Sequence, residues 1–228
     1  MKVLCVGLGF IGKLLTEFDE FDGVHHKEFK PLMLKNYDAC VNTAGIAGYS
    51  ACKQSNRDAV FSANVQYAMH LKASCVATDT LCFQLSTTGM YMPQTCPDIE
   101  DFVLPHEDSP TRPYNLYVGS KLELEKVVTD CYMFRLPLVF DKEFTIRAKW
   151  KYVQSTYLSI LYPQDLYHHI VNFIKMKPNH GIYNVASKVV YLPDLFKDQD
   201  LLIKRDYASD MTSALPIDTK KLWGTYGV

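Results

Sequence analysis

Nowhere among the 228 residues do about eighteen apolar residues run together, so no membrane-spanning helix is expected. Neither sign of charge is gathered into a block. The 24 basic and 25 acidic side chains leave a formal net charge of −1, and without a basic stripe the electrostatic footprint of a nucleic-acid binder is missing. No Cys-x-x-Cys pair occurs among Cys5, Cys40, Cys52, Cys75, Cys82, Cys96 and Cys131, and the nearest histidines, His25-His26 and His168-His169, are adjacent in sequence. Adjacent residues leave a helix in different directions, so this spacing argues against a zinc site. There is no internal repeat, and the apolar stretch after Lys2 is broken at once by glycines, unlike a secretion signal. Several cysteines lie in apolar runs such as Leu81-Cys82-Phe83, as buried free thiols of a reducing compartment would. The expectation is a cytoplasmic protein with neither a membrane nor a nucleic acid as partner.

What is present suffices for one core. With 48% apolar and 21% charged residues, a chain of this length forms one sizeable domain, or a main domain with a small annex. Lys2 to Val6 is a short apolar run ending in glycines, and Phe10 to Phe18 has helix-like apolar spacing, which predicts strand, tight turn, helix. Buried strands are expected again at Tyr37 to Val41, ending in Asn42-Thr43-Ala44-Gly45, and at Thr80 to Leu85, ending in Ser86-Thr87-Thr88. Between them Asp58 to Thr78 reads as a helix. Strands alternating with helices imply a doubly wound parallel sheet, in which ligands sit outside the carboxyl ends of the strands. Met92 to Pro113 reads as a surface loop, Pro113 to Val127 as a helix and Cys131 to Leu136 as a strand. Further on, Asp165 to Met176 looks helical, Gly181 to Ala186 extended, and Pro193 to Phe196 could open a short helix.

The turn Gly7-Leu8-Gly9-Phe10-Ile11-Gly12 offers what a dinucleotide pyrophosphate requires: a sharp bend, close backbone approach and a helix N-terminus aimed at the charge. With Lys13 it also begins a triphosphate-binding loop, but that loop needs a Ser or Thr next, to hold magnesium. Leu14 stands there and has no ligand oxygen. Cofactor choice should be decided near the end of the second strand, by an acidic residue for ribose hydroxyls or a basic one for a 2′-phosphate. Asp19, Glu20 and Asp22 are followed directly by His25, His26 and Lys27. The stretch can also be a plain solvated loop. If it is the site, the basic cluster, Lys27 included, favours NADP over NAD.

Tyr117 and Lys121, four apart on an expected helix, share a face. An ammonium beside a phenol favours the phenolate, so such a tyrosine can exchange a proton with a sugar hydroxyl or ketone while hydride moves to or from a nicotinamide. With 15 tyrosines in the chain, roughly one such pair is expected by chance, and a second occurs at Tyr49 and Lys53. Only Tyr117 has a hydroxyl, that of Thr87, at a strand end thirty residues upstream.

Together with Asn64-Val65, Leu85-Ser86-Thr87, Tyr117-Val118-Gly119-Ser120-Lys121, Phe134-Arg135-Leu136-Pro137, Gly181 to Val185 and Ile217 to Leu222, these segments resemble the extended short-chain dehydrogenases/reductases, the NAD-dependent epimerase/dehydratase family, and in particular its dehydrorhamnose-reductase-like members. The resemblance implies a Rossmann-type doubly wound sheet over residues 1–140 and a small substrate-binding annex over 141–228, within one domain. It implies that Tyr117 is the acid/base, Lys121 its electrostatic helper and ribose ligand, and Thr87 the substrate hydrogen-bonder. Thr88 would also face the substrate, and Gly7, Gly9, Phe10, Ile11, Gly12, Thr43, Ala44, Gly45 and Asn64 would line the cofactor. A nucleotide-sugar substrate and a homodimer are implied too. The dehydratase branch carries an acidic pair directly after the threonine; Thr88-Gly89 offers no carboxyl group, and Gly89 also replaces the cysteine of the fucose-synthase branch. A 4-epimerase or a 4-keto reductase remains. Two alternatives stay open: a catalytically silent NAD(P)-binding regulator of the same fold, and a reductase of a non-sugar ketone.

Overall fold

The computed structural model describes residues 1–47, 49–91, 104–141, 152–154, 157–196, 202–204 and 216–227. In β1 (Val3–Val6) all four residues are buried, Val3 and Cys5 in one apolar cluster and Leu4 and Val6 in another. A strand apolar on both faces has to be covered on both sides, and a parallel sheet with helices above and below does that. β3 (Ala39–Asn42) alternates in the same way, with Ala39 and Val41 opposite Cys40. With β2 (Phe21–Val24), β4 (Leu81–Thr87) and β5 (Tyr132–Leu136), these strands form most of a six-stranded sheet in the order β2-β1-β3-β4-β5 followed by the strand Gly181–Asn184, parallel throughout. The C-terminal third supplies β6 (Leu138–Val139), β7 (Tyr152–Gln154), β8 (Tyr157–Leu161), the sixth sheet strand β9 (Gly181–Asn184), β10 (Lys188–Tyr191) and β11 (Leu202–Lys204). There β10-β8-β6 form a small sheet of their own and β11 pairs with β7.

The helices are α1 (Phe10–Leu15), α2 (Tyr49–Cys52), α3 (Arg57–Phe61), α4 (Tyr67–Ala77), α5 (Leu116–Val127), α6 (Pro163–Met176) and α7 (Lys220–Thr225). Leu15 of α1, Leu166, Ile170, Phe173 and Ile174 of α6 and Leu222 of α7 cover one face of the sheet. Ala68, Leu71 and Cys75 of α4 and Leu124 of α5 cover the other. Phe173 presents its edge to Tyr132, Phe134 and Tyr183, with centroids 4.9–5.2 Å apart, so an aromatic cluster welds α6 to β5 and β9. Beside it His169 is buried, its Nδ1 2.6 Å from the Tyr226 hydroxyl, and burial holds the imidazole down at about 4 despite Asp165. Among the described residues no helix is long and apolar enough to cross a membrane.

Three differences from the sequence expectation have physical causes. The first helix stops at Leu15 because Phe18 turns away to stack on Tyr167 of α6 at 4.3 Å; the apolar spacing served packing, not a longer helix. The helix expected from Asp58 to Thr78 is α3 and α4 joined by a single π turn over Ser62–Gln66, which tucks Asn64 and Val65 inward. The loop expected at Met92 to Pro113 lies outside the described residues over 92–103 and is irregular over 104–113 apart from a one-residue bridge between Thr111 and Tyr91.

The glycine turn fixes how closely α1 meets the sheet. Gly7 has φ +111°, a conformation that costs an L side chain strain. A methyl group on Gly12 would run into the Gly7 carbonyl oxygen and stand 2.8 Å from Thr43 Oγ1, while one on Gly9 would meet nothing within 4 Å. Gly12→Ala is therefore expected to lose at least about 1–3 kcal/mol in urea unfolding, and Gly9→Ala less than about 1 kcal/mol. Equal losses in the two variants would contradict the packing described.

Candidate active site

The carboxyl ends of β1, β3, β4 and β5 converge on one edge, and the polar segments following them meet there. Gly7 N–H donates to Val24 O at 2.9 Å, and Thr43 Oγ1 donates to Gly7 O at 2.5 Å, pinning the glycine turn between its neighbours. Asn42 accepts from Ala44 N–H at 3.1 Å and donates to Gln84 Oε1 at 2.8 Å, which shapes the turn after β3. Asn64 accepts from Ile46 N–H at 2.7 Å and donates to Ile46 O at 3.0 Å and to Ser120 Oγ at 2.9 Å. The π turn thus delivers an amide that clasps the Ala44–Ile46 segment to α5.

At its own start α5 is capped by Asn115, whose side chain accepts from Val118 N–H at 2.8 Å. Tyr117 follows within the first turn, and Lys121 one turn further. Lys121 is buried; its Nζ donates to Leu85 O at 2.8 Å and lies 5.9 Å from the Tyr117 ring centroid. Burial lowers this ammonium to about 8, with Glu125 raising it in part. Burial also pushes the Tyr117 phenol up to about 12, against a hydrogen bond from Thr87 that lowers it. Thr87 in turn accepts from Gly89 N–H at 3.1 Å as β4 passes into a 3-10 turn over Thr88–Met90. Tyr117 and Thr87, distant in sequence, are therefore hydrogen-bonded to each other, and Lys121, bonded to Leu85 O, completes the corner beside the phenol ring.

That corner opens on a cavity of about 150 Å³ whose wall includes Ile11, Thr43, Ala44, Gly45, Thr87, Tyr117, Lys121 and Pro137. A cavity of this size holds one aromatic ring. Ser86, also on the wall, has a buried hydroxyl with no hydrogen-bond partner among the described residues, and the open space at Gly9 adjoins the start of α1. A ring-sized slot, such a hydroxyl and room over a glycine fit a nicotinamide dinucleotide. Other expected residues stand apart from the slot. Phe10 is 42% exposed and faces a wider groove of about 790 Å³ between α1 and α6, with Lys13, Phe140 and Tyr162. Asn64 supports the wall without lining it, Thr88 is buried in the 3-10 turn, and Lys27 is exposed beyond the end of β2. Among the described residues no His, Cys, Asp and Glu group is placed to hold a metal ion.

The structure also exposes residues to which sequence reasoning gave no role. Arg135 and Glu125 form a buried ion pair at 2.7 Å directly behind Lys121, and Arg135 Nη1 donates to the Tyr91 hydroxyl at 2.9 Å. The available signal was an arginine inside the otherwise apolar strand Tyr132–Leu136, where an unpaired charge would be costly.

No curated protein sequence matches the chain. Among solved structures, a hypothetical dTDP-4-dehydrorhamnose reductase from Sulfolobus tokodaii has a TM-score of 0.73 at 17% identity, covering 98% of this chain and 94% of that one. RMD from Pseudomonas aeruginosa, complexed with NADPH, gives 0.73 at 17% identity over 100% and 93%. UDP-glucuronic acid 4-epimerase from Bacillus cereus, in complex with UDP-glucuronic acid and NAD, gives 0.75 at 13% identity over 99% and 92%. At these identities the likeness establishes the Rossmann-like fold. The family model for NAD dependent epimerase/dehydratases matches residues 8–133, from the glycine turn into β5, and the chain belongs to that family.

Proposed function

We propose that this chain is an NAD(P)-dependent epimerase or 4-keto reductase of a nucleotide sugar, with Tyr117 as the acid/base. The observation that carries the reading is the corner of Tyr117, Thr87 and Lys121 on the wall of a ring-sized slot next to the glycine turn. When bound, the dinucleotide supplies or takes up the hydride. The backbone of the glycine turn and of Thr43 to Gly45 would hold its phosphates and ribose, with Lys121 on the nicotinamide ribose. Thr87 orients the reacting oxygen, and Tyr117 passes it a proton or removes one. Burial keeps the phenol protonated near neutrality, which suits donation to a ketone; a positive ring in the slot would lower it for the reverse step. Among the described residues no carboxylate lines the slot, which gives a dehydration no support. Retention of the whole acid/base corner argues against a silent regulator.

Support for NADP comes from strand direction. Asp22 sits within β2, away from its carboxyl end, and accepts from the Tyr37 hydroxyl at 3.0 Å. His25, His26 and Lys27 directly follow the carboxyl end of that strand, on the side of the glycine turn. For a dimer, support comes from Met69 and Val76, seven apart on α4, which are 47% and 65% exposed, with Val127 of α5 at 40%. Sedimentation of the native chain and of Val76→Glu checks this: the dimer is expected to weaken in the variant, and a monomeric native chain refutes it.

Tyr117→Phe is expected to reduce turnover of a nucleotide 4-keto sugar or its 4-epimer by at least about 10²-fold, with cofactor affinity changed less than about threefold, a minor energetic effect. Undiminished turnover removes the mechanism. Lys27→Ala is expected to weaken NADPH binding by roughly tenfold, the worth of one charge-assisted contact, and to leave NADH binding unchanged in a fluorescence titration. Equal weakening of both would refute a 2′-phosphate contact.

A further inference from the structure

Charge on α5 does not end at the lysine. Tyr117, Lys121 and Glu125 follow one another at four-residue steps and share a face of the helix. The Glu125 carboxylate is gripped at both oxygens by Arg135 of β5, with Nε 3.0 Å from Oε1 and Nη2 2.7 Å from Oε2, and the two side chains are only 6% and 5% exposed. Arg135 Nη1 donates to the Tyr91 hydroxyl at 2.9 Å and to Glu107 O at 2.7 Å. Tyr91 closes the turn that begins at Thr87. A single guanidinium therefore holds both the helix that carries Tyr117 and Lys121 and the turn that carries Thr87.

A buried ion pair contributes little to stability compared with apolar side chains of the same volume. What this one provides is a carboxylate fixed one turn from a buried ammonium. The charged and titratable groups about Lys121 are few: Tyr117 and Glu125 on its own helix, Tyr114 before it and Cys52 of α2 beside Tyr117, and Arg135, Tyr91 and Glu107 around Glu125. Among the described residues Glu125 is the anion that acts on the lysine.

We propose that Glu125, clamped by Arg135, is a positioning residue that keeps the Lys121 ammonium charged beside Tyr117, while the bond from Arg135 to Tyr91 holds the Thr87 turn in register with it. The inference rests on the acid/base reading of Tyr117 and Lys121 given above. A nearby carboxylate favours the charged lysine and burial disfavours it, so removing the carboxylate moves the ammonium, already at about 8, further down toward neutrality.

The test is a pH titration of the native chain with isotope-labelled lysine side chains, followed by NMR, the Lys121 signal being assigned by its loss in Lys121→Arg. In Glu125→Gln the midpoint is expected to fall by roughly one pH unit, Glu125→Asp is expected to restore most of it, and the alkaline limb of the turnover profile is expected to fall by the same amount. If Arg135 left unpaired prevents folding of Glu125→Gln, the double variant Glu125→Gln/Arg135→Met leaves no lone charge and is expected to show the same downward movement. A midpoint that stays in place or rises, in whichever of these variants folds, overturns the proposal. The two readings fail separately: should Tyr117→Phe retain full turnover, the acid/base assignment is wrong whatever Lys121 does, and a stationary midpoint refutes the role of Glu125 even if Tyr117→Phe is inactive.

Discussion

Lys121 places a cation under a helix, and a buried ammonium has to find acceptors within its own reach. The acceptor it finds is the Leu85 carbonyl at 2.8 Å, near the end of β4, one residue past the last pairing of that strand with β3. That bond sets the height of α5 over the sheet, and with it the depth of Tyr117 and the line along which Thr87 meets the phenol. The same constraint explains the wall around the slot. Among the described residues no anion lines that wall, and the carboxylate that acts on the lysine sits behind, anchored to β5. A site that must hold one positive charge without neutralising it is arranged with neutral hydrogen-bonding groups in front and a fixed negative charge at the rear.

The glycine turn works by exclusion instead of attraction. Gly12 lets α1 come down onto the Gly7 carbonyl and Thr43, and Gly9 leaves space where no protein atom stands. Two of the three glycines are accounted for by the fold, and the third has no structural requirement of its own. This is the pattern expected of a turn shaped for a ligand, where one position answers to something outside the chain.

Much of this was legible in the sequence because it is local. Strand, glycine turn and helix follow one another within a few residues, and the i, i+4 spacing of Tyr117 and Lys121 survives intact into α5. The order of polar strand ends also carried through, since a parallel sheet collects them on one edge. Other features depend on contacts that no window of sequence contains. The early end of α1 follows from Phe18 meeting Tyr167, some 150 residues away in the chain. The placement of Asp22 against the His25 to Lys27 cluster depends on where β2 ends, because two residues of register separate the middle of the sheet from its ligand edge. The roles of Arg135 and Glu125 were hidden for the same reason: an arginine in a strand has meaning only once the facing helix is in place.

The polar network behind the site reaches almost the whole chain. Tyr91 donates to Asn184 Oδ1, and Asn184 donates to the carbonyl of Asp218 at 3.0 Å. During synthesis the strands up to β5 emerge well before β9, and a partial sheet ending at β5 would leave one edge open. Asn184 and Asp218 are then still to come, so Tyr91 lacks its final partner, while the side-chain partners of Arg135 are already present. The nascent chain can thus assemble its glycine turn and the Glu125–Arg135 pair early, while Tyr91 is fixed by Asn184 only once β9 has appeared. On the function proposed above, the parts that would hold the dinucleotide and the last tie on the Thr87 turn are in this way separated in time along the vectorial appearance of the chain.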